Sequence, residues 1–317
     1  MDAVSINFAG DVLHTREIGK NLYQVELETG GIKNLICSYV LRGAKTTLVE
    51  SGPTSSVPRL LEGLKEIEVH FEDVNYVAIT HVHLDHGGGV GTLLKSLPNA
   101  KVVVHPRGMP HLVDPSRLWA SAQSVLGFVA EIFGQPEPVP KERIIPFTEG
   151  SIDLSGGVRL AVIETVGHAS HNLSFKESLN NGVFPGDAAG TYLPEFDVVV
   201  PTTPPPFYLD SALASLDKLI SLNPSVLYYS HFGKASNGTQ RLKDYKVQLQ
   251  LWGKIALEGV AANQTFEQIQ ARVIAEDPVM REHATFFESH LIYRKTVLVN
   301  CLNGFIEWAK TKQQRLA

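Results

Sequence analysis

Short apolar runs rich in β-branched residues dominate the first 235 positions of the chain. Residues 21–27 alternate apolar and polar positions, which predicts a half-buried strand. Residues 34–41 and 46–50 are nearly continuous apolar segments separated by the turn Arg42-Gly43-Ala44, so the three runs together predict an antiparallel meander. Residues 57–65 switch to helical spacing. Residues 74–80, 101–105, 158–166, 182–187 and 225–231 again predict buried strands. Residues 211–222 predict a helix with Asp210 as its N-cap. Residues 119–133 predict one helix with an apolar face, stopped by Pro136, Pro138 and Pro140. Residues 188–209 carry too much proline for a helix or a central strand. Beyond about residue 238 the strand pattern ends. Residues 241–259 are helical with Trp252 on the apolar face, Thr265 and Gln268 make a capping box, and 283–312 carry a long helical periodicity. The pattern divides the chain into an α/β domain over 1–237 and a helical extension over 238–317.

One polar run interrupts this pattern at a strand end: Thr80-His81-Val82-His83-Leu84-Asp85-His86-Gly87-Gly88-Gly89. Loops at the C-terminal ends of strands are where α/β folds place their chemistry. Imidazole and carboxylate are ligands suited to Zn²⁺, Fe²⁺ or Mn²⁺. Side chains on extended backbone repeat every two residues, so His81 and His83 project together and can grip one ion. Asp85 and His86, where the chain turns, can grip a second. The glycines let the backbone fold tightly over the ions.

The run His81-x-His83-x-Asp85-His86 resembles the motif of the metallo-β-lactamase superfamily. That resemblance implies three further ligands downstream, and Gly167-His168, Gly186-Asp187 and Ser230-His231 supply them in order. It implies a four-layered αββα sandwich built from two similar ββα halves. It also implies a helical appendage that caps the site or forms a homodimer, as in glyoxalase II and related hydrolases. Two Zn²⁺ per chain are expected, with Fe²⁺ or Mn²⁺ as alternatives. His81, His83 and His168 would hold the first, Asp85, His86 and His231 the second, and Asp187 would bridge them. Paired cations lower the pKa of a shared water from about 15.7 toward 7. The expected chemistry is hydrolysis of a small ester, thioester or lactone by a metal-bridging hydroxide, with Asp85 orienting the nucleophile. Members that cut β-lactams commonly carry Cys at the position of Asp187, which disfavours lactam cleavage. A phosphodiesterase, a persulfide dioxygenase with one iron, and a catalytically quiet metabolite sensor remain alternatives. The superfamily usually has Asp where Glu50 stands, so Glu50 is either a carboxylate supporting the metal loop or a plain surface residue. Tyr192 and Tyr208 in the proline-rich loop, together with His171 and Lys234, are candidate substrate contacts. His171 has the further option of capping the next strand. His105, His111, His283 and His290 read as surface or helix-face residues.

Composition narrows the remaining choices. The chain has 317 residues, 44% hydrophobic and 19% charged, which suits a globular fold with an ample core. Its net charge of −5, with no long basic run, argues against a nucleic-acid partner and leaves a small molecule as the expected one. The two cysteines, Cys37 and Cys301, lie in apolar surroundings without CxxC spacing and read as reduced core residues, which suits a cytoplasmic protein. Residues 1–20 lack the apolar core of a signal peptide, and no run of 18 apolar residues implies a membrane span.

Overall fold

The computed structural model describes residues 14–290 and 292–316. Part of the stretch read for a signal peptide, residues 1–13, lies outside them. Seven strands lie side by side in chain order in the first sheet: β1 (Thr15–Gly19), β2 (Leu22–Glu26), β3 (Cys37–Leu41), β4 (Thr46–Val49), β5 (Val74–Ala78), β6 (Lys101–Val104) and β7 (Ile144–Pro146). The pairs from β1 to β4 are antiparallel, and those from β4 to β7 are parallel. The chain continues through β8 (Gly150–Asp153), β9 (Arg159–Glu164), β10 (Leu173–Glu177) and β11 (Gly182–Phe184). A two-stranded hairpin follows, β12 (Thr191–Leu193) with β13 (Val198–Val200), and then β14 (Val226–Tyr229) and β15 (Gly233–Ser236). The second sheet has the order β15-β14-β11-β10-β9-β8, with β11 and β14 its parallel pair.

β3 shows why the layers stack as they do. Cys37, Tyr39 and Leu41 join Leu22, Val103, Phe175, Phe184 and Tyr228 in a core made by both sheets. Val40, on the opposite face, packs in the other core with Val25, Leu48, Leu60 and Leu64, the last two from the helix Val57–Glu66. All five β3 residues are buried, so the strand reads as a nearly continuous apolar run, interrupted only by Ser38, whose hydroxyl donates to backbone carbonyls at the end of β4. Phe175 and Phe184 are fully buried between the sheets, each contributing about 1.5–3 kcal/mol of burial free energy. Tyr39 enters the same core with its hydroxyl satisfied, donating to the Tyr229 carbonyl at 2.5 Å.

This topology places the C-terminal ends of β4, β5 and β6 on the same rim as those of β9, β11 and β14. The two sheets are stitched there by Leu173 N–H, which donates to the Thr80 carbonyl at 2.7 Å. Each motif that holds a candidate ligand follows one of these strands.

Several elements differ from the sequence expectation. The segment 119–133 forms two helices, Ser116–Leu126 and Phe128–Phe133, because Gly127 takes φ 58°, ψ −123° and breaks the ladder. No residue of the first helix is fully buried, and Val125 and Phe128 are exposed. The helix Leu209–Ser221 starts two residues earlier than expected, with Tyr208 at its N-cap position. Asp210 lies in its first turn, where a carboxylate still complements the helix dipole. The hairpin β12–β13 has Pro194 in its connecting loop and lies just ahead of the proline run 201–206 that obscured it. The 283–312 periodicity is divided at His290, which is extended (φ −75°, ψ 128°). Its Nδ1 accepts from the backbone N–H groups of Ile292 and Tyr293 and starts a new turn. The C-terminal part is otherwise helical: Gly238–Ala261, Phe266–Glu276 with the expected Thr265 capping box, a π-helical turn Thr296–Cys301, and Leu302–Leu316. Both cysteines are free and buried. Among the described residues no helix is long and apolar enough to cross a membrane.

Candidate metal centre

All seven residues singled out as ligands converge on the shared rim. They form three overlapping groups: His81, His83 and His168; His81, His86 and Asp187; and Asp85, His86 and His231. The ligand atoms within each group lie within 4.8 Å of one another. The spacing expected from period-two backbone holds: His81 Nε2 and His83 Nδ1 are 3.1 Å apart. His168 Nε2 lies 3.0 Å from the same His83 nitrogen.

The hydrogen bonds on the far sides of the rings decide what these close nitrogens are. A main-chain carbonyl only accepts, so His168 Nδ1 carries a proton and gives it to Thr202 O at 2.7 Å. His231 does the same toward Leu35 O at 2.8 Å. His86 Nδ1 lies 2.9 Å from Glu50 Oε1 and donates to it. Thr80 Oγ1 gives its own proton to Glu50 Oε1, so it accepts from His81 Nδ1 at 3.1 Å. In their neutral state these four imidazoles each present the Nε2 lone pair to the centre. The Nε2 atoms of His81 and His168 both converge on His83 Nδ1, at 3.1 and 3.0 Å, and a proton on that one nitrogen can serve only one of them well, whereas a cation among the three satisfies all. Two nitrogens on a tetrahedral ion at about 2.0–2.1 Å lie about 3.3–3.4 Å apart, close to these separations.

The second group makes the same demand. His86 Nε2 is buried and makes no hydrogen bond. Its neighbours are carboxylate oxygens, Asp187 Oδ1 at 3.3 Å and Asp85 Oδ2 at 3.9 Å. Asp85 Oδ2 also lies 3.2 Å from His231 Nε2. Asp187 faces both sides, Oδ1 toward His86 and Oδ2 toward His168 at 3.4 Å. These donors fit a pair of divalent ions sharing one carboxylate.

Glu50 is the principal residue whose place sequence left open. It is completely buried, which excludes the surface reading. Its backbone takes φ 68°, a left-handed conformation that costs a non-glycine residue about 1–2 kcal/mol. In that pose Oε1 accepts from Thr80 Oγ1, His86 Nδ1 and Ser230 Oγ, the last at 3.0 Å, and Oε2 accepts from Thr80 N–H at 3.1 Å. One carboxylate thus ties the loops after β4, β5 and β14. Thr80-His81 and Ser230-His231 share a detectable signal, a hydroxyl directly before a ligand histidine. The carbonyls of Thr202 and Leu35 leave no trace in sequence.

Electrostatics divide the site into two halves. Burial first, and then neighbouring imidazoles, push His81 well down and His83 to about 3. His168 is also lowered, chiefly by burial. For His86, burial acts downward, but Asp187, Glu50 and Asp85 override it and raise the ring well above its ordinary value. His231 is likewise raised against burial, by Asp85 and Asp187. Asp85 and Asp187 are held low despite burial, both helped by His86. A cation must therefore displace protons from His86 and His231 but not from His81, His83 or His168. Cobalt titrations at stepped pH are expected to show affinity at the Asp85–His86–His231 group falling more steeply as pH drops than at the other group, by up to about tenfold per unit for each proton displaced. Equal slopes at both groups would contradict this division.

The candidate substrate contacts fare unevenly. The His171 ring lies 6.3 Å from His81 and 5.9 Å from His83, and its Nδ1 is buried without a hydrogen bond. Tyr208 is 49% exposed, and its N–H donates to Gly167 O beside His168. Tyr192 is not turned to the cluster: its hydroxyl donates to Asp197 at 2.8 Å, and its ring packs between Tyr229 and Arg241. Lys234 points away as well, its ammonium donating to Ile18 O at 2.6 Å. His105 is buried at the end of β6, where Nε2 donates to Glu164 Oε1 at 2.8 Å. Its partner lies 59 residues away, which is why sequence placed it at the surface.

Comparison with known proteins agrees with this geometry. The family model of the metallo-beta-lactamase superfamily matches residues 35–231. The metallo-beta-lactamase fold-containing protein ST1585 of Sulfurisphaera tokodaii is 30% identical over 243 residues, 74% of this chain and 88% of that protein. The crystal structure of ST1585 superimposes with a TM-score of 0.68 at 28% identity, covering 91% of this chain and 99% of that one. The metallo-beta-lactamase family protein TTHA1429 from Thermus thermophilus shares the fold, with a TM-score of 0.66 at 21% identity over 92% of this chain and 94% of that one.

Proposed function

The chain belongs to the metallo-beta-lactamase superfamily, and from that premise we propose that it is a hydrolase with two divalent metal ions, zinc first among the candidates, acting on a small ester, thioester or lactone. The observation that carries the reading is the convergence of three imidazoles with ring nitrogens about 3 Å apart, joined to a second group by the two oxygens of Asp187. His81, His83 and His168 would hold one ion, and Asp85, His86 and His231 the other. When bound, such ions supply an acidified water and polarise the substrate oxygen.

The chain's own residues do the rest. Thr202, Leu35, Glu50 and Thr80 hold four ring planes and tautomers in advance, so little reorganisation remains for the reaction. Asp85 is the more accessible of the two carboxylates, with 22% of its side chain exposed against 5% for Asp187. It is placed to accept a hydrogen bond from an entering water and orient it. His171 stands beside the cluster and, with the exposed Tyr208, is the candidate donor to a substrate oxygen. Residues 1–237 are the catalytic part in this reading, and 238–317 a helical extension.

A panel of esters, thioesters, lactones and phosphodiesters, with oxygen uptake on a persulfide, tests the reading on metal-loaded protein. Acyl hydrolysis that a chelator abolishes and added metal restores is the expected result. Turnover confined to phosphodiesters, or oxygen uptake alone, replaces the proposed reaction. Absence of all turnover with metal bound favours a metabolite sensor.

A further inference from the structure

Three residues join the C-terminal helices to the metal centre. The Thr202 carbonyl accepts from His168 Nδ1, and Thr202 Oγ1 donates to Asp187 Oδ2 at 3.2 Å. Four of the seven residues from 201 to 207 are prolines, which have no N–H with which to anchor the loop. The anchor comes from Cys301, at the end of the π-helical turn. Thr203 N–H donates to Cys301 Sγ, Thr203 Oγ1 donates to Cys301 O, and the thiol donates to Pro201 O, each at 3.2 Å. Burial pushes the Cys301 thiol up to about 12, so it stays a donor at neutral pH. One helical turn on, Gly304 lies so close that a Cβ there would sit 1.9 Å from Thr203 O. Phe305 packs on Phe207 with ring centroids 4.9 Å apart.

We propose that the C-terminal helical segment is a positioning element of the metal centre: Cys301 and Gly304 fix the strap Pro201-Thr202-Thr203, and Thr202 in turn sets the His168 tautomer and the pose of the Asp187 carboxylate. This rests on the metal-centre reading above. It gives the extension a role distinct from a cap or a dimer interface, since the contacts run inward to two candidate ligands, His168 and Asp187. Asp187 is shared between the two groups, so a strap displaced from its Oδ2 is expected to reach both.

Cobalt(II) titrated into the full chain tests this, followed by its visible absorption and by competition with a chelator. Cys301→Ala and Thr203→Val each loosen the strap without touching a candidate ligand. Both are expected to weaken cobalt binding about 10- to 100-fold and to alter the absorption bands. Cys301→Ser, which keeps a donor and an acceptor, is expected to recover most of the affinity. Ile306→Ala, a buried position on the same helix that makes none of the strap contacts, is expected to lower Tm with cobalt binding unchanged. Wild-type affinity and spectrum in Cys301→Ala and Thr203→Val overturn the proposal. So does an equal loss in Ile306→Ala at matched Tm. A wild-type chain that binds no cobalt overturns the metal reading and the strap together, whereas unaltered variants of a cobalt-binding protein overturn the strap alone.

Discussion

Asp187→Ala is expected to bind at most one divalent ion per chain and to lose about 10³-fold or more in hydrolytic rate. Asp187 is the residue whose two oxygens face different histidines, His86 and His168. Without it the two groups lose their shared negative charge, and two ions would repel across the gap. Charge stabilisation from a correctly held ion amounts to several kcal/mol, and about 4 kcal/mol corresponds to 10³-fold in rate. Asp187→Asn keeps the shape and one oxygen but removes the charge, so it is expected to resemble the alanine variant in rate while retaining more metal. Metal analysis after equilibrium dialysis, with kinetics on the same sample, reads both quantities. Full metal content and full activity in Asp187→Ala would remove the bridging role.

Glu50→Ala is expected to affect stability and metal binding together. The substitution leaves Thr80 N–H, Thr80 Oγ1, Ser230 Oγ and His86 Nδ1 without their buried acceptor. Removing the charged partner from such a network costs about 3–5 kcal/mol. His86 also loses the contact that fixes its tautomer, so metal affinity is expected to fall about 10- to 100-fold. Glu50→Gln does not rescue, because its amide N–H₂ would face donors. Glu50→Asp separates reach from charge: it keeps the carboxylate but shortens it by one methylene. Loss of metal in Glu50→Asp is the expected outcome, since the loops after β5 and β14 must both be reached from one backbone position. Chemical denaturation and chelator competition measure the two effects. A Glu50→Ala protein with wild-type stability and affinity would contradict the role assigned to this residue.

The metal loop is legible in the sequence because local rules govern it. Two histidines at period two beyond an apolar strand, followed by glycines, admit few structures. His168, Asp187 and His231 are single residues at strand ends, and only resemblance to a family links them to the loop. Their supporting groups are harder to read. Glu50 reaches the site through a left-handed backbone that its sequence neighbours do not announce. Thr202 and Leu35 act through main-chain oxygens, which every residue has. His105 depends on Glu164, and Tyr192 on Asp197 and Arg241, all partners brought together only by tertiary packing. Helix breaks at Gly127 and His290 escape notice because apolar spacing continues across them. Strands β3 to β6 are plain in the sequence, since burial leaves a nearly continuous apolar signal, whereas the polar, half-exposed β1 and the three-residue β7 carry none.

The most direct test of the whole account is an anomalous-difference map from crystals of the metal-loaded protein. The expected result is two peaks, one among His81, His83 and His168 and one among Asp85, His86 and His231, with the Asp187 carboxylate between them. A fully loaded protein with no peak at either position would contradict it.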